Sequence, residues 1–343
     1  MKNSFFYDKE TMHIGVPLTS SLSYPTPRKL KKIQKVLEEF GFRVHYTELL
    51  IKVAETAEYR KPFWFARYKG KKIKLETERQ YGLIPVDIVA ENFEEALRYD
   101  VIWCWQGGFG SSRLIRFFKS KKFEGKTIIG FSDNTSIMTL ALKNGGNAIQ
   151  LAGFEDLYSE RKENLQNILD NVKKLIQGEE VELEIRAKNR LPCYEAKSMY
   201  AGNLTCYLMT VQELGWTDLE YDLSLFEDIF NESSSTTFVG DYIPYFFCIH
   251  LLSLHANKRK MLAFGKMQGI RKDKIKISLK EYYKGKFAYG IDWGHNGKEL
   301  KIVPSFKKGE GEALMRSNKL KIRVKFKNVE KRKFIVQPRL TAK

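Results

Sequence analysis

Residues 101–118 read VIWCWQGGFGSSRLIRFF, which is an apolar strand, a glycine-rich turn and a helix that begins at about Ser112. A second apolar run, Thr127 to Phe131, again leads into a serine-bearing turn and a helix. Buried strands that alternate with helices in this way predict a mainly parallel sheet with helices on both faces. In such sheets the functional groups lie at the carboxyl ends of the strands, which is where both turns fall.

The first fifty residues follow the same pattern. His13 to Leu18 reads as a short strand. Thr26 and Pro27 predict a helix start, because threonine caps the free amides and proline fixes the first φ angle. Gly41 ends that helix, and Arg43 to Leu49 reads as the next strand.

The length of the chain predicts two domains, because 343 residues exceed what one hydrophobic core usually organises. We predict an N-terminal α/β domain over residues 1–158, a linking helix over residues 159–180, and a β-rich C-terminal domain over residues 181–343. Ser159 is the expected cap of the linking helix, and Gly178 is its expected end.

Residues 60–85 fit the alternation of strands and helices poorly, because they are aromatic, basic and bounded by prolines. We interpret them as an insertion or a long loop near the cleft between the domains. Phe63, Trp64 and Phe65 are candidate lid residues, and core aromatics are the alternative interpretation.

The formal net charge of +18 would attract anionic partners in general. Between residues 319 and 327 basic and apolar residues alternate, which predicts a strand with one buried and one solvated face. No recognised nucleic-acid motif accompanies this strand, so nucleic acid is an unlikely partner.

Cysteine, histidine and hydropathy patterns exclude several classes of protein. Cys104, Cys193, Cys206 and Cys248 form no C-x-x-C pair, and we interpret them as reduced core residues. The histidines show no metal-binding pattern, so neither a metal nor another cofactor is expected. No apolar run has signal-peptide length or approaches the roughly 20 residues that span a bilayer, which predicts a cytoplasmic protein.

The glycine-rich turn before Ser112 allows three interpretations. A sharp strand-to-helix turn can project a nucleophilic serine into a cleft, with helix amides nearby to stabilise an oxyanion. The same turn can cradle a phosphate, and a serine at a helix start can simply be a cap. The second turn, at Ser132 and Asp133, is expected to cap its own helix from Asn134 to Asn144.

The turn resembles the nucleophile loop of the bacterial LD-carboxypeptidases, in which the catalytic serine stands just before an arginine. Here these residues are Ser112 and Arg113. Further blocks similar to the family's follow in the family's order, namely Ile129-Gly130-Phe131-Ser132-Asp133-Asn134-Thr135, Ala201-Gly202-Asn203-Leu204, Leu225-Phe226-Glu227-Asp228, and Gly294-His295 with Pro304. The resemblance covers nearly the whole chain. It implies an N-terminal domain like that of flavodoxin or the glutamine amidotransferases, followed by a β-rich C-terminal domain.

The resemblance also implies a catalytic triad of Ser112, His295 and Glu227 assembled across the two domains. The Arg113 N–H is the expected oxyanion donor, and the Gly108 N–H is a second candidate. The Arg113 side chain would either bind a substrate carboxylate or pair with an acid across the domain interface. Taken alone, Glu227 could be a solvated acid in a turn, and His295 could be a loop histidine.

Some positions depart from the family pattern. Gln106 stands before the glycine pair, where the family usually has arginine. Residues 150–153 lack the family's His-Gly-Pro, residues 296–298 lack an expected proline, and Phe306 stands near an expected glycine. These departures predict an unusual binding surface.

The function that the resemblance implies is that of a cytoplasmic, homodimeric serine carboxypeptidase. It would hydrolyse the amide between meso-diaminopimelate or L-lysine and the terminal D-alanine of a cell-wall tetrapeptide, so its partner is a small peptide or muropeptide. One alternative is a hydrolase of peptidyl- or aminoacyl-nucleotide amides of the microcin-immunity type. The other is a non-catalytic muropeptide-binding homologue.

Overall fold

A computed structural model describes residues 11–20, 25–60, 63–74, 84–215, 221–229, 261–268, 286–294 and 301–326. The strands in these ranges are, in chain order, β1 (Met12–Val16), β2 (Phe42–Tyr46), β3 (Glu58–Arg60), β4 (Phe63–Tyr68), β5 (Lys71–Lys74), β6 (Val101–Trp103), β7 (Thr127–Gly130), β8 (Asn147–Gln150), β9 (Val181–Ala196), β10 (Met199–Asn203), β11 (Leu223–Ile229), β12 (Met261–Gln268), β13 (Lys286–Gly294), β14 (Val303–Ser305) and β15 (Gly311–Val324). The α-helices are α1 (Pro27–Glu39), α2 (Glu48–Thr56), α3 (Val86–Ala96), α4 (Ile115–Phe118), α5 (Thr135–Lys143), α6 (Lys162–Ile176) and α7 (Leu204–Glu213). Three 3-10 helices span Ser111–Leu114, Ser132–Asn134 and Phe154–Ser159.

The first sheet contains the predicted parallel strands. Its order is β14-β8-β7-β6-β1-β2, and the strands from β2 to β8 are all parallel. Numbered among themselves, these five strands have the flavodoxin-like order 2-1-3-4-5, so the direction of winding reverses between β1 and β6. This confirms the predicted α/β class with a parallel N-terminal sheet.

The local signals in the first fifty residues are largely confirmed. The Thr26 hydroxyl accepts a hydrogen bond from the Lys29 N–H at 3.3 Å, Pro27 opens α1, and Gly41 follows the helix with φ of +74°. The predicted strand from Arg43 to Leu49 is too long at its end, because α2 begins at Glu48. Apolar residues near Leu49 therefore belong to a buried helix face.

Other expectations need correction. Within residues 58–74 the chain forms a small antiparallel sheet, β3-β4-β5, which is compatible with the expected insertion but not with a long loop. Ser159 does not cap the linking helix, because a 3-10 helix ends at Ser159 and α6 begins only at Lys162, after Arg161. Cys193 is exposed and so is no core residue, while Cys104 is buried. Cys248 lies outside the described residues.

The second sheet has the order β10-β11-β12-β13-β9-β15 and confirms that the C-terminal part is β-rich. Strands β10 to β13 are parallel, and β9 and β15 add antiparallel strands at one side. The carboxyl ends of β10, β11 and β13 therefore lie along one edge. Asn203 and Gly294 end β10 and β13, and Glu227 stands two residues before the end of β11, opposite Asn203.

The basic strand is confirmed as half-buried, and its exposed charges are largely paired. Leu320, Ile322 and Val324 are fully buried on β15. On the exposed side of β15 the basic residues form ion pairs with acidic residues in β9 or directly before it. The pairs are Lys319–Glu184, Lys321–Glu182 and Arg323–Glu180. This part of the positive charge is locally compensated.

The two sheets are joined by direct contacts. β14 comes from the C-terminal part but pairs antiparallel with β8 of the first sheet. The Tyr200 and Thr139 hydroxyls are 2.8 Å apart, and the Asn203 N–H donates to the Thr135 hydroxyl at 3.0 Å. A Cβ at Gly202 would come within 2.8 Å of Thr135 Cγ2, so β10 approaches α5 closely. The domain boundaries remain a prediction.

In the ranges that the structure describes, no helix has both the length and the apolar character needed to cross a bilayer.

Candidate active site

The glycine-rich turn follows β6, beside the point where the winding of the first sheet reverses. Gly108 and Gly110 have φ of +135° and +111°, a region that residues with a Cβ rarely occupy. Ser112 follows in the 3-10 helix Ser111–Leu114 and is half-buried. The chain therefore places Ser112 where ligands bind in sheets of this kind.

A buried carboxylate beneath this turn holds the residue before Ser112. Asp133 Oδ2 accepts the Ser111 N–H at 2.8 Å and the Ser20 hydroxyl at 2.6 Å, and the Ser111 hydroxyl donates to the Asp133 carbonyl. Asp133 is 6% exposed, and burial raises the pKa of its carboxyl group. The expectation that Asp133 caps its own helix was wrong, because its side chain reaches back to the preceding turn.

Residues next to Asp133 tie the turn to the rest of the sheet. The Asn134 side chain donates to the Gln106 carbonyl at 3.0 Å and accepts the Thr19 hydroxyl at 2.6 Å. Ser132 has φ of +54°, which is unusual for a residue with a side chain. A Cβ at Gly107 would lie 2.9 Å from Ser132 Cβ, so the two turns pack together closely.

The structure ranks the two oxyanion donor candidates differently from the sequence. The Arg113 N–H already donates to the Gly110 carbonyl at 3.2 Å inside the 3-10 turn. Within the described ranges the Gly108 N–H has no hydrogen-bond partner, so it is the more available donor.

The Arg113 side chain contacts backbone carbonyls. It donates to the Ile84 carbonyl at 3.0 Å and to the Gly110 carbonyl at 3.3 Å. Burial lowers the pKa of its guanidinium group. Neither a substrate role nor an acidic partner for this side chain follows from these contacts.

Glu227 lies near the carboxyl end of β11 and is 1% exposed, which excludes the alternative of a solvated acid. In the pairing with β12 the register shifts between Phe226 and Asp228, and irregularities of this kind redirect side chains. Gln150 Nε2, at the carboxyl end of β8, donates to Glu227 Oε1 at 3.4 Å. A residue of the first sheet thus contacts Glu227 in the second sheet.

Asp228, next to Glu227, organises the start of α7. Its carboxylate accepts the Asn203 side-chain amide at 2.9 Å, the Thr205 N–H at 3.0 Å and the Thr205 hydroxyl at 2.7 Å. Burial, and then the charge of Glu227, raise the pKa of Asp228 to about 6. Asn203 in turn caps α7 by accepting the Cys206 N–H at 3.0 Å.

His295 lies outside the described residues. Gly294, the residue before it, ends β13 on the same edge as Glu227, and β12 lies between the two strands. Residues of β11 and β13 come within 8 Å of each other between Cα atoms, which is closer than one regular intervening strand would allow.

Gln106 occupies the position where the family usually has arginine. Its side chain hydrogen-bonds Asp156, whose pKa is raised to about 6, mainly by burial and then by the charge of Glu155. A Cβ at Gly153 would collide with the Gln106 amide oxygen, so this side chain packs tightly on the loop after β8. An amide therefore stands here in place of a fixed positive charge.

Sequence analysis missed the supporting residues of the site. Ser20, Gln150 and Thr205 carried no motif of their own, and only the sheet order brings them to their partners. Asp133 and Asp228 did stand inside quoted blocks. Among the described residues, no group of three or more His, Cys, Asp or Glu side chains is arranged to hold a metal ion.

Comparisons with known proteins agree with this architecture. Residues 14–152 match the family model described as the LD-carboxypeptidase N-terminal domain. No curated protein matches the chain in sequence.

The similar solved structures share the whole fold. Muramoyltetrapeptide carboxypeptidase from Oxalobacter formigenes has a TM-score of 0.63 at 15% identity, over 92% of this chain and 99% of that one. MccF in complex with glutamyl sulfamoyl guanosine has a TM-score of 0.62 at 13% identity, over 93% of this chain and 97% of that one. An MccF-like protein from Bacillus anthracis str. Ames has a TM-score of 0.61 at 15% identity, over 92% and 97%.

Proposed function

We propose that this chain, whose residues 14–152 match the model of the LD-carboxypeptidase N-terminal domain, is a serine carboxypeptidase of that family and releases the terminal D-alanine from cell-wall tetrapeptides. The bond cleaved would join D-alanine to meso-diaminopimelate or L-lysine. The proposal includes a cytoplasmic location and a homodimeric state, and it requires no cofactor.

One observation carries the proposal. Ser112 stands one residue after a backbone amide that a buried aspartate holds, at the reversal point of a parallel sheet. A phosphate cradle would leave the turn amides free for the ligand, whereas here the Ser111 N–H is bound to Asp133. The geometry therefore favours a fixed serine over an anion-binding loop.

The proposed mechanism is acyl transfer to Ser112. His295 takes the proton from the Ser112 hydroxyl as the oxygen attacks the scissile carbonyl carbon, and Glu227 orients the imidazole and stabilises its charged form. The Gly108 N–H binds the developing oxyanion, and the Arg113 N–H can serve as a second donor only if its bond to the Gly110 carbonyl opens. His295 then protonates the departing amine of D-alanine, and water hydrolyses the acyl-enzyme.

A second candidate is hydrolysis of an aminoacyl-nucleotide amide. It is supported by the similarity of the fold to MccF, which is as high as the similarity to muramoyltetrapeptide carboxypeptidase. A non-catalytic muropeptide-binding protein remains the third alternative.

One experiment separates these functions. The unmodified chain, Ser112→Ala and the control Ser120→Ala are incubated with a cell-wall tetrapeptide and with an aminoacyl sulfamoyl adenylate, and products are followed by mass spectrometry. Ser120 is an exposed serine in the turn that follows α4, so its loss should leave activity unchanged. We expect D-alanine release that Ser112→Ala reduces at least about a thousandfold.

The other outcomes decide against the leading function. Cleavage of the nucleotide substrate alone, again dependent on Ser112, would establish the second candidate. Binding of the tetrapeptide with no product in any variant would favour the non-catalytic homologue.

A further inference from the structure

We propose that Gln150 is a positioning residue, which fixes the Glu227 carboxylate from the sheet that carries Ser112. This inference rests on the proposed function. Glu227 belongs to the second sheet, and Gln150 ends β8 of the first, where it pairs with Gly130 of β7 and Val303 of β14. The contact thus crosses from one sheet to the other.

The burial of both side chains is the first argument. Gln150 is 3% exposed and Glu227 is 1% exposed. A carboxylate that is out of water needs donors, and a hydrogen bond to an ionised group is stronger than one between neutral groups. The distance of 3.4 Å is long, as hydrogen bonds in catalytic sites without substrate often are.

The chemistry of the amide is the second argument. An ionised carboxylate only accepts hydrogen bonds, so the Gln150 NH₂ group must face it and the amide oxygen must point away. That oxygen, Oε1, is buried and has no hydrogen-bond partner among the described residues. Gln150 therefore gains little from its surroundings apart from Glu227.

The third argument compares Gln150 with an apolar residue. Leucine has a similar volume and would remove the unsatisfied amide oxygen, but it would also take a donor from Glu227, so the two effects on stability largely cancel. A buried polar residue that brings no net gain in stability is typical of a functional site. We therefore expect Gln150→Leu to fold as well as the original chain but to have a lower kcat.

The test uses Gln150→Leu with Gln34→Leu as a matched control. Gln34 Nε2 also donates to a glutamate, Glu38 Oε1 at 2.8 Å, but on the exposed face of α1. For Gln150→Leu we expect kcat for D-alanine release to fall about tenfold to a hundredfold, the loss typical of a hydrogen bond to a charged group. KM should stay within about twofold, since Gln150 orients Glu227 rather than substrate.

Thermal unfolding provides the second readout. Gln150→Leu should unfold within about 3 °C of the Gln34→Leu control, because a lost contact is offset by the removal of a buried amide oxygen. A fall in activity that only follows a loss of folded protein would assign Gln150 a structural role and overturn the proposal. An unchanged kcat would overturn it as well.

A second variant, Gln150→Met, keeps the length of the unbranched side chain but removes the donor. It should reduce kcat about as much as Gln150→Leu. Full activity in this variant would show that donation from position 150 is dispensable.

Labelling with a fluorophosphonate separates this inference from the proposed substrate, because the probe reports the reactivity of Ser112 without the tetrapeptide. If the unmodified chain is labelled at Ser112 but releases no D-alanine, the substrate is wrong and the labelling rates of the variants decide the role of Gln150. Equal labelling of Gln150→Leu and the unmodified chain would overturn the role of Gln150 alone. No labelling at Ser112 in the unmodified chain would overturn both.

Discussion

The carboxyl edges of the two six-stranded sheets are built alike, but among the described residues only the first presents a serine at a glycine-rich turn. In the first sheet Asp133 follows β7, and its carboxylate accepts the Ser111 N–H. Ser111 begins the 3-10 helix that follows the neighbouring strand β6. In the second sheet Asp228 lies near the end of β11, and its carboxylate accepts the Thr205 N–H. Thr205 stands at the start of α7, which follows the neighbouring strand β10.

The surroundings of the two aspartates differ. Asp133 stands beneath glycines with positive φ, so the backbone sets the position of Ser112. Asp228 stands beside Glu227, and the two acidic side chains influence each other. Backbone geometry fixes the proposed nucleophile, whereas side-chain contacts fix the proposed acid.

The largest expected effect comes from Asp133→Ala. The Ser111 N–H and the Ser20 hydroxyl would lose a shared acceptor in a buried place, so the free energy of unfolding should fall by about 3 kcal/mol. Ser112 would shift with the turn, and kcat/KM for D-alanine release should fall at least about a hundredfold. Urea denaturation and the release assay measure the two quantities.

Asp133→Asn is the control for that prediction. Both donors converge on one carboxylate oxygen, Oδ2, and an amide oxygen in the same place can accept both. The asparagine variant should therefore keep most of the activity and stability. Equal losses in the two variants would show that the negative charge matters, rather than the acceptor.

An intermediate effect is expected from the ionisation of Asp228. Its pKa of about 6 in the folded protein lies above the ordinary pKa of an aspartate, so the folded state holds this proton more tightly than the unfolded state. The resulting stabilisation is complete below about pH 4 and is lost as the pH rises through about 6. The loss is up to about 3 kcal/mol on the scale of 1.36 kcal/mol per pKa unit.

Asp228→Asn should remove this pH dependence. Unfolding free energies are measured by urea denaturation from pH 4 to pH 7.5 in both chains, and the two slopes are compared. Parallel slopes would show that Asp228 ionises normally. The two acidic side chains at the second edge would then not influence each other as the comparison of the two edges assumes.

The smallest effect is expected where the two edges meet. In Gly202→Ala the new Cβ would lie 2.6 Å from the Tyr200 hydroxyl and 2.8 Å from Thr135 Cγ2, so β10 would be pushed away from α5. The free energy of unfolding should fall by about 1–3 kcal/mol, and kcat should fall with it because the two edges separate.

Gly125→Ala is a control for backbone effects. Its Cβ would meet nothing within 4 Å, although its φ of +74° makes the variant strained. It should lose stability but keep kcat. If both variants keep kcat, the close approach at Gly202 does not set the distance between the edges.

The sequence predicted the elements whose signals are local. Thr26, Pro27 and Gly41 mark α1 because caps act within one turn, and the alternation around Ile322 marks β15 because side chains in a strand alternate between faces. The glycine turn after β6 was predicted for the same reason. Its place at the carboxyl end of a strand followed from the alternation of strands and helices, whereas its place beside the reversal of the sheet needed the strand order.

The missing parts depend on contacts between distant residues. Asp133 and Ser111 are 22 positions apart, and Gln150 and Glu227 are 77 apart, so only the strand order and the packing of the sheets bring them together. Ser159 looked like a cap because the sequence does not show that a 3-10 helix precedes α6. The roles of Ser112, Glu227 and His295 stay predictions.

The short strand β14 also has a consequence for folding and fragment design. Val303–Ser305 covers the outer side of β8, so a fragment made of residues 1–158 would expose the hydrogen-bonding groups of Ala148 and its neighbours. An uncovered strand edge recruits other chains, so such a fragment should self-associate even though it contains all five parallel strands of its sheet. During synthesis the sheet with the proposed nucleophile gains this cover only once residue 305 has been made. Aggregation-prone intermediates are therefore expected before that point.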